Sequence, residues 1–254
     1  MLENRNSDTA DPFAGLRVAV TGGTSGLGLA LVRELRGRGA DVAFVARGRK
    51  RVVQVAKEFH AHGIIGDVSR KDEVYPLAMQ IVGRLGGLDV LINNASALGS
   101  TPLALLADTD CEDLERALAT NLLGPFRLTK ALLGALGAAA REGRGGVVVN
   151  VSSDAAVTPY PRWGPYGASK AALRHLSAIW NAELAPVGIC VLAPDPGDMD
   201  TPLHALAVPD ADPATLKRPE LAARELADAI ALALPRRGPV RDCQPTSPVK
   251  GGKP

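Results

Sequence analysis

The sequence predicts an α/β fold with a doubly wound parallel sheet of six or seven strands in a single domain. Short runs rich in Val, Ile and Leu alternate with longer segments of helical periodicity between residues 16 and 234. These runs are apolar throughout, which is typical of strands covered by helices on both faces. The 254 residues have the length of one domain, and the sequence contains no internal repeat.

The first half of the chain supplies four of the predicted strands. LRVAVTGG, from Leu16, is a β-rich run, and a helix with leucines at four-residue spacing follows until Gly39. ADVAFVAR is the second strand, and a helix then runs from Val52 to His60. HGIIGDVS is a short third strand, the next helix spans about Lys71 to Leu85, and LDVLINNAS is the fourth strand.

The second half continues the same alternation. A long helical region from about Asp110 to Ala140 has a break near Gly124-Pro125. Gly146 to Ser152 is the fifth strand, and a helix begins around Gly164. GICVLAPDPG is the sixth strand, and a last helix spans about Pro219 to Leu234.

Both ends of the chain differ from this pattern. Residues 1–14 are polar and acidic and are predicted to be a disordered lead-in, so the domain is placed at residues 15–234. Residues 235–254 form a tail rich in Pro and Gly, in which only residues 238–243 have strand character. A seventh strand depends on that segment.

Composition excludes several classes of function. A net charge of +2 is too close to balance to indicate binding to nucleic acid or to an anionic membrane. The three cysteines include no CxxC pair and no cluster with His, so no metal site is expected. No apolar run approaches the ~18 residues of a membrane span, and the N-terminus does not resemble a signal peptide. We therefore expect a cytoplasmic protein.

The turn after the first strand has the composition of a phosphate-binding loop. It reads TGGTSGLG from Thr21 and leads directly into a helix. Glycine lets the backbone approach a pyrophosphate, and the helix N-terminus supplies N–H donors. The residues predicted to bind the cofactor here are Gly22, Thr24, Ser25, Gly26, Leu27 and Gly28.

The end of the second strand indicates which dinucleotide is bound. NAD-binding units carry an acidic residue at this point, which binds the adenosine ribose. Here the sequence is VARGR, and Arg47 or Arg49 is available to pair with a 2′-phosphate. The sequence therefore predicts NADP(H) in preference to NAD(H), with Arg47 as the first candidate.

Tyr166 and Lys170 are four residues apart and lie on one face of the predicted helix. An ammonium beside a phenol is expected to lower the phenol pKa, which suits acid–base catalysis. Ser153, at the end of the fifth strand, is close enough in sequence to bind an oxygen beside that phenol. The alternative interpretation is a surface Tyr and Lys on an ordinary helix.

Taken together, the motifs resemble those of the short-chain dehydrogenase/reductase family, in its compact subtype of similar length. The resemblance covers about Leu16 to Leu234 and implies a Rossmann-like fold and an NAD(P)-dependent oxidoreductase. TGGTSGLG resembles the family's cofactor turn. The further matches are Asp67-Val68 for the adenine ring, Asn93-Asn94-Ala95 for the NNA of NNAG, Asn121 for a proton-relay water, Ser153, Tyr166 and Lys170 for catalysis, and Pro196-Gly197 with Thr201 for the nicotinamide side.

By that resemblance Tyr166 is the acid or base, Ser153 orients the substrate oxygen, and Lys170 lowers the pKa of Tyr166 and binds the nicotinamide ribose. Asn93 and Ala95 would touch the cofactor. Three features depart from the family: Ser96 replaces the glycine of NNAG, 32 residues separate Asn121 from Ser153, and the tail lacks a clear last strand.

The leading functional hypothesis is an oxidoreductase that transfers a hydride between NADP(H) and a carbonyl or secondary alcohol. A catalytically silent dinucleotide-binding regulatory or scaffold protein is the alternative, and an epimerase or dehydratase that recycles its nucleotide is a third. Tyr160, Arg162 and Trp163 are candidates for the substrate wall, and residues 202–219 for a mobile lid. The resemblance also implies a homodimer or homotetramer, paired through residues 110–140 and 166–185.

Overall fold

The computed structural model of the protein describes residues 11–235. Within them a single parallel sheet carries the fold. Its strands are β1 (Arg17–Thr21), β2 (Asp41–Ala46), β3 (His62–Ile65), β4 (Val90–Asn93), β5 (Val147–Asn150) and β6 (Cys190–Leu192). They lie in the order β3-β2-β1-β4-β5-β6, and every pairing is parallel. The predicted α/β fold and its doubly wound sheet are confirmed.

Eight α-helices connect or follow these strands within the described residues. They are α1 (Gly26–Gly37), α2 (Arg49–Phe59), α3 (Lys71–Leu85), α4 (Cys111–Leu118), α5 (Gly124–Arg141), α6 (Gly164–Leu184), α7 (Pro202–Ala207) and α8 (Pro219–Ala233). A π-helical turn, Ala119–Leu123, joins α4 to α5 at the predicted break.

Both faces of the sheet are buried, as the apolar strands predict. Val18 and Val20 of β1 pack with α1, α2 and α8 on one side. Ala19, between them, points to the other side, where α3, α5 and α6 pack. A strand covered on both faces gains from apolar residues at every position, which explains the uninterrupted apolar runs.

The strand order reverses between β1 and β4, and this point positions the site. Thr21 Oγ1 at the end of β1 accepts the backbone N–H groups of Asn94 and Ala95, each at 3.0 Å. Asn94 Nδ2 donates in return to the Thr21 carbonyl oxygen at 2.9 Å. Ligands of open α/β sheets bind in the crevice that such a reversal creates.

The opposite edge of the sheet is closed by a buried carboxylate. Asp89, just before β4, is fully buried and accepts hydrogen bonds from Arg17 Nη2 and the Arg17 backbone N–H, each at 2.7 Å. Arg144 Nη2 donates to Asp89 as well, at 3.2 Å. Burial by itself raises the pKa of Asp89, but these hydrogen bonds outweigh it and the pKa lies below its usual value.

The structure moves two predicted boundaries. Phe13 is fully buried, and the Arg38 guanidinium lies over its ring, with Cζ 5.7 Å from the ring centroid. The packed region therefore begins before residue 15. Helix α2 begins at Arg49, three residues earlier than predicted, because its first turn is basic and exposed and has no apolar periodicity. The candidate seventh strand at residues 238–243 lies outside the described residues.

Candidate active site

A cleft of about 900 Å³ opens where the carboxyl ends of all six described strands meet. Segments that follow each strand contribute to its walls. Sixteen of the predicted site residues line it: Gly22, Thr24, Ser25, Gly26, Leu27, Gly28, Arg47, Asp67, Val68, Ala95, Ser153, Tyr166, Lys170, Pro196, Gly197 and Thr201. Asn93 and Asn121 are not part of the lining and lie behind it.

The glycine-rich turn forms a cradle at one end of the cleft. Gly22 has a φ of +73°, which favours glycine. A Cβ at Gly28 would meet the Gly22 carbonyl oxygen and lie 2.5 Å from Asn94 Nδ2, so α1 packs closely against the sheet. The Ser25 side chain makes no capping bond to α1. The N–H groups that begin α1 therefore face the cleft as donors for a pyrophosphate, and the residues present fit a dinucleotide.

Arg47 directly follows β2, where NAD-binding units carry an acidic residue and this chain has none. Its side chain is 82% exposed, and its Nη1 lies 4.0 Å from Asp67 Oδ2. Asp67 Oδ1 is occupied by the Ser69 backbone N–H at 2.9 Å and the Ser69 hydroxyl at 2.7 Å. The guanidinium therefore stands at the cleft rim with its charge available to a ligand phosphate.

The three predicted catalytic side chains come together at the other end of the cleft. Tyr166 and Lys170 occupy successive turns of α6, and both are at least nine-tenths buried. Lys170 Nζ donates to the Val151 carbonyl oxygen at 2.7 Å and lies 5.5 Å from the centroid of the Tyr166 ring. Ser153, beyond β5, accepts the Ala155 N–H at 3.2 Å and lines the same part of the cleft.

The pKa values of this pair differ from the expectation. Burial raises the pKa of Tyr166 to about 12, against hydrogen bonding from Ser153 that lowers it. Burial also lowers the pKa of Lys170 to about 8. The predicted lowering of the Tyr166 pKa by the Lys170 ammonium is therefore wrong for this structure. The spacing along the helix correctly predicted that Tyr166 and Lys170 are close together, but the burial of both side chains determines their pKa values.

Asn121 is fully buried within the π-helical turn. Its Oδ1 accepts the Ala97 N–H at 2.8 Å, and its Nδ2 donates to the Ala97 carbonyl and to Ser169 Oγ, each at 2.8 Å. The amide is thereby committed to joining the segment after β4 to α6. This geometry gives Asn121 a positioning role, and its part in a proton relay stays a prediction.

Asn93 lies deeper, where it ties β4 to its neighbours. Its Nδ2 donates to Asn150 Oδ1 at 2.8 Å and to Thr129 Oγ1 at 3.2 Å. Asn150 Nδ2 donates in turn to Ser177 Oγ on α6 at 2.8 Å. Asn93 therefore steadies the central strand, and Asn94 is the residue of this pair that reaches the cleft.

Apolar side chains surround the phenol of Tyr166. Leu98 and Ala155 are buried with it, and Leu203 packs on the same cluster. The Trp163 ring meets that of Tyr166 edge to face, with centroids 5.6 Å apart. The chamber is therefore lined mainly by hydrocarbon where a substrate would lie against the phenol.

Three carboxylates stand around this apolar chamber. Asp154, Asp195 and Asp198 all line the cleft. Burial, followed by the charges of Asp154 and Asp198, raises the pKa of Asp195. Asp195 Oδ1 accepts the Gly197 N–H at 2.9 Å, as is usual for an Asp in a turn. Its electrostatic contribution to the site was missed, because its distance from Asp154 in sequence gives no sign of their approach.

The predicted substrate wall is present in part. Trp163 and Tyr160 line the cleft, and the Tyr160 hydroxyl donates to Asp154 Oδ2 at 2.7 Å. Arg162 is not among the lining residues. The predicted lid contains α7, and the chain around it is held by Lys217, whose N–H donates to the Asp198 carbonyl oxygen at 3.0 Å.

Comparison with known proteins agrees with this geometry. The family model for short chain dehydrogenases matches residues 17–212. The chain belongs to the short-chain dehydrogenase family. A Streptomyces violaceoruber protein named for ketoacyl reductase 1 of the granaticin polyketide synthase is 35% identical to this dehydrogenase over 189 residues, which cover 72% of this chain and 68% of that protein.

Solved structures show the same fold with bound dinucleotides. A 3-ketoacyl-(acyl-carrier-protein) reductase from Brucella melitensis, complexed with NADH, has a TM-score of 0.79 and 26% identity, covering 86% of this chain and 91% of its own. A variant of the actinorhodin polyketide ketoreductase with NADPH has a TM-score of 0.76 and 30% identity, covering 87% and 92%. This short-chain dehydrogenase is accordingly an NAD(P)-dependent oxidoreductase acting on a small molecule.

Between residues 11 and 235 no helix is both long and apolar enough to cross a membrane. The same residues contain no group of three or more His, Cys, Asp or Glu side chains arranged to hold a metal ion.

Proposed function

We propose that this dehydrogenase interconverts a carbonyl compound and a secondary alcohol with NADP(H), and that Tyr166 is the acid or base. The observation that carries the proposal is the convergence of Ser153, Tyr166 and Lys170 in a cleft that ends in a phosphate cradle. A silent binding protein has no need for a buried phenol and a buried amine beside that cradle, and burying ionisable groups is costly.

The bound dinucleotide supplies or accepts the hydride, and the protein supplies position and protons. Ser153 donates a hydrogen bond to the substrate oxygen and holds it beside the phenol. Because its pKa is about 12, Tyr166 is protonated at neutral pH and can give its proton to the oxygen during reduction. Lys170, with a pKa of about 8, readily exchanges a proton close to neutral pH. It would also bind the nicotinamide ribose.

The preference for NADP(H) rests on Arg47. A guanidinium pairs well with a phosphate, whereas the carboxylate that selects NAD is absent after β2. Asp67 and Val68, which line the cleft, would hold the adenine ring, and Pro196, Gly197 and Thr201, which also line it, would bind the nicotinamide side. Among the similar solved structures, one contains NADH and another contains NADPH, so they do not distinguish the two dinucleotides. The preference for NADP(H) therefore rests on Arg47.

The apolar chamber favours a carbonyl attached to a hydrocarbon chain or ring. Leu98, Trp163 and Leu203 provide the surface that such a group would cover. The ketoacyl reductases among the relatives bear names that point to ketones of this kind. The neighbouring carboxylates favour substrates that carry no negative charge next to the ketone.

A homodimer or homotetramer in the cytoplasm, with no nucleic-acid or membrane partner, completes the proposal. Exposed apolar side chains on the helices expected to pair support the assembly. They are Leu114 on α4, Leu123 on the π-helical turn and Ile179 on α6.

The test is the loss of NADPH absorbance against a panel of apolar ketones, with wild type beside Tyr166→Phe. We expect turnover of at least one ketone and a loss of at least about 100-fold in kcat in the variant, because general acid catalysis contributes that much. NADPH binding should be unchanged. Tight NADPH binding without turnover in either protein would favour the silent alternative, and product formation without net NADPH consumption would favour an epimerase or dehydratase.

A further inference from the structure

Residues 200–216 form an excursion of the chain that begins and ends at one point of the fold. The Lys217 N–H donates to the Asp198 carbonyl oxygen at 3.0 Å, and the Asp200 N–H donates to the Lys217 carbonyl oxygen at 3.0 Å. Met199 and Lys217 thereby form a single parallel β-bridge. The excursion, here called the cover segment, contains α7 and is closed at its base by this bridge.

The cover segment reaches from the glycine-rich turn to the surroundings of Tyr166. Leu203 and Ala207 pack against the buried cluster that contains Tyr166. Thr201 lies against the glycine-rich turn, because a Cβ at Gly26 would be 3.1 Å from Thr201 Cγ2. Seven residues of the segment line the cleft. The position of the segment therefore determines how closely a molecule in the cleft is enclosed.

The Lys217 side chain connects the base of the cover segment to two other parts of the fold. Its Nζ donates to the Pro196 carbonyl oxygen at 3.1 Å and to Glu225 Oε2 at 2.8 Å. Pro196 belongs to the turn that follows β6 and lines the cleft. Glu225 lies on α8, whose buried face packs with α1 in the core. One ammonium thus joins the cover segment to a turn of the cleft and to a helix anchored in the core.

This connection affects local position more than the stability of the whole fold. The side chains of Lys217 and Glu225 are 31% and 54% exposed, and an ion pair this exposed adds little to global stability. The opening of one segment breaks far fewer contacts than global unfolding, so each hydrogen bond at its base has a larger share in resisting it. Loss of the Lys217 side chain should therefore loosen the cover segment and leave the core folded.

We propose that Lys217 is a positioning residue that holds the cover segment against the cleft, so that Leu203 meets the substrate and Thr201 meets the dinucleotide. The proposal rests on the function proposed above. Lys217 is not among the residues that line the cleft, so it acts through the base of the segment. Its loss should weaken binding and leave the proton transfer at Tyr166 unchanged.

The first test is amide hydrogen exchange of the full chain without cofactor or substrate, measured by mass spectrometry on peptides from residues 200–216. We expect Lys217→Met to raise exchange in these peptides about tenfold, because the variant loses a hydrogen bond between charged groups. Lys217→Arg keeps the charge and the donors and should restore most of the protection. Peptides from α1 and α6 should exchange as in wild type.

Two variants on α8 serve as controls. Glu225→Gln weakens the bond to the ammonium, so it should raise exchange in the same peptides by a smaller factor, and it should add nothing in a double variant with Lys217→Met. Arg224→Met removes an exposed positive charge beside Glu225 outside the cleft lining and should change nothing. Unchanged exchange in Lys217→Met, or an equal rise in peptides from α1, overturns the proposal.

Binding and turnover give the functional readout. Lys217→Met should weaken NADPH binding about fivefold in titration calorimetry and leave the binding of adenosine 2′,5′-bisphosphate unchanged, because that fragment lacks the nicotinamide half. With a ketone that is turned over, KM should rise about tenfold and kcat should stay within about twofold of wild type. A lowered kcat with unchanged KM, or unchanged NADPH affinity and KM, overturns the proposal. Wild type that fails to bind NADPH would overturn the proposed function itself, whereas unchanged hydrogen exchange overturns this inference alone.

Discussion

At the scale of the residue, Lys170 combines a functional position with a cost to stability. It is 2% exposed, and among residues 11–235 its ammonium has one hydrogen-bond acceptor, the Val151 carbonyl oxygen. Burial lowers its pKa from 10.5 to about 8, which corresponds to about 3 kcal/mol against the charged form. Its nearest ring, that of Tyr166, is also buried. A lysine kept in such surroundings is better explained by chemistry than by packing.

We expect Lys170→Met to abolish turnover. The same variant should stabilise the fold by about 2 kcal/mol at neutral pH, because the cost of burying the amine exceeds the roughly 1 kcal/mol that its hydrogen bond contributes. The unfolded chain binds more protons than the folded chain between pH 8 and 10.5, so wild type should regain stability relative to the variant as the pH rises through that window. Urea unfolding at a series of pH values measures both effects. Lys130→Met, on the exposed side of α5, is the control and should change little.

The proximity of Tyr166 and Lys170 was accessible from sequence, whereas their protonation was not. Tyr166 and Lys170 are four apart, and four residues on a helix always place side chains on one face. How deeply that face is buried depends on Leu98, Trp163 and Leu203, which come from three separate segments. Ser96 was visible in the sequence as a departure from NNAG, but its hydrogen bond to Asn121 exists only after the segment beyond β4 has folded against the π-helical turn.

At the scale of the element, the turns after the strands determine what the cleft binds. The turn from β1 into α1 offers backbone donors and is independent of side-chain identity apart from glycine. The turn from β2 into α2 offers Arg47, an exposed side chain that can be exchanged without disturbing the core. On the proposed function, general phosphate affinity and dinucleotide preference therefore belong to two different turns.

Arg47→Ala should weaken NADPH binding about tenfold and leave NADH binding unchanged, since only NADPH carries the phosphate that the guanidinium would pair with. Titration calorimetry with both dinucleotides measures this, and the effect should shrink at high salt because the side chain is exposed. Arg49→Ala, in the first turn of α2 and outside the cleft lining, is the matched control. Equal losses for the two dinucleotides would show that Arg47 does not select between them.

Strands and helices of this fold were predictable because burial on both faces makes their signal strong. The predicted boundaries were wrong where the sequence has no apolar periodicity. The first turn of α2 is Arg-Lys-Arg, which shows no periodicity, and the burial of Phe13 depends on a distant contact with Arg38. The break before α5 was visible through Gly124 and Pro125, but the π-helical form of that turn was not.

At the scale of the whole molecule, the carboxyl ends and the amino ends of the strands differ in function. The carboxyl edge is open and holds the cleft, whereas the amino edge is closed around Asp89. That carboxylate joins β1 to the segment before β5 through Arg17 and Arg144. Since Arg17 is 72 residues away in sequence from Asp89, this interaction closes a long stretch of the chain.

Asp89→Asn should destabilise the fold by about 3 kcal/mol at neutral pH, because it leaves two arginines facing a buried neutral amide. The folded-state pKa of Asp89 lies below its ordinary value, so its contribution is present above pH 3.8 and is lost as the pH falls through the folded pKa. The difference in the free energy of unfolding between wild type and variant, measured by urea unfolding, should therefore become smaller at acidic pH. Glu142→Gln removes an exposed partner of the same Arg17 and should cost under about 1 kcal/mol.

The junction of β1 and β4 has a consequence for how such a protein can change over generations. On one side of Thr21 and Asn94 lie the turns proposed to bind the dinucleotide phosphates, and on the other lies α6, which carries Tyr166. On that proposal, a lineage would exchange its coenzyme through Arg47, or its substrate through Leu203, while Tyr166 stays in place. Selection would then act on each trait separately, and the closure between the two strand ends is a feature that both preserve.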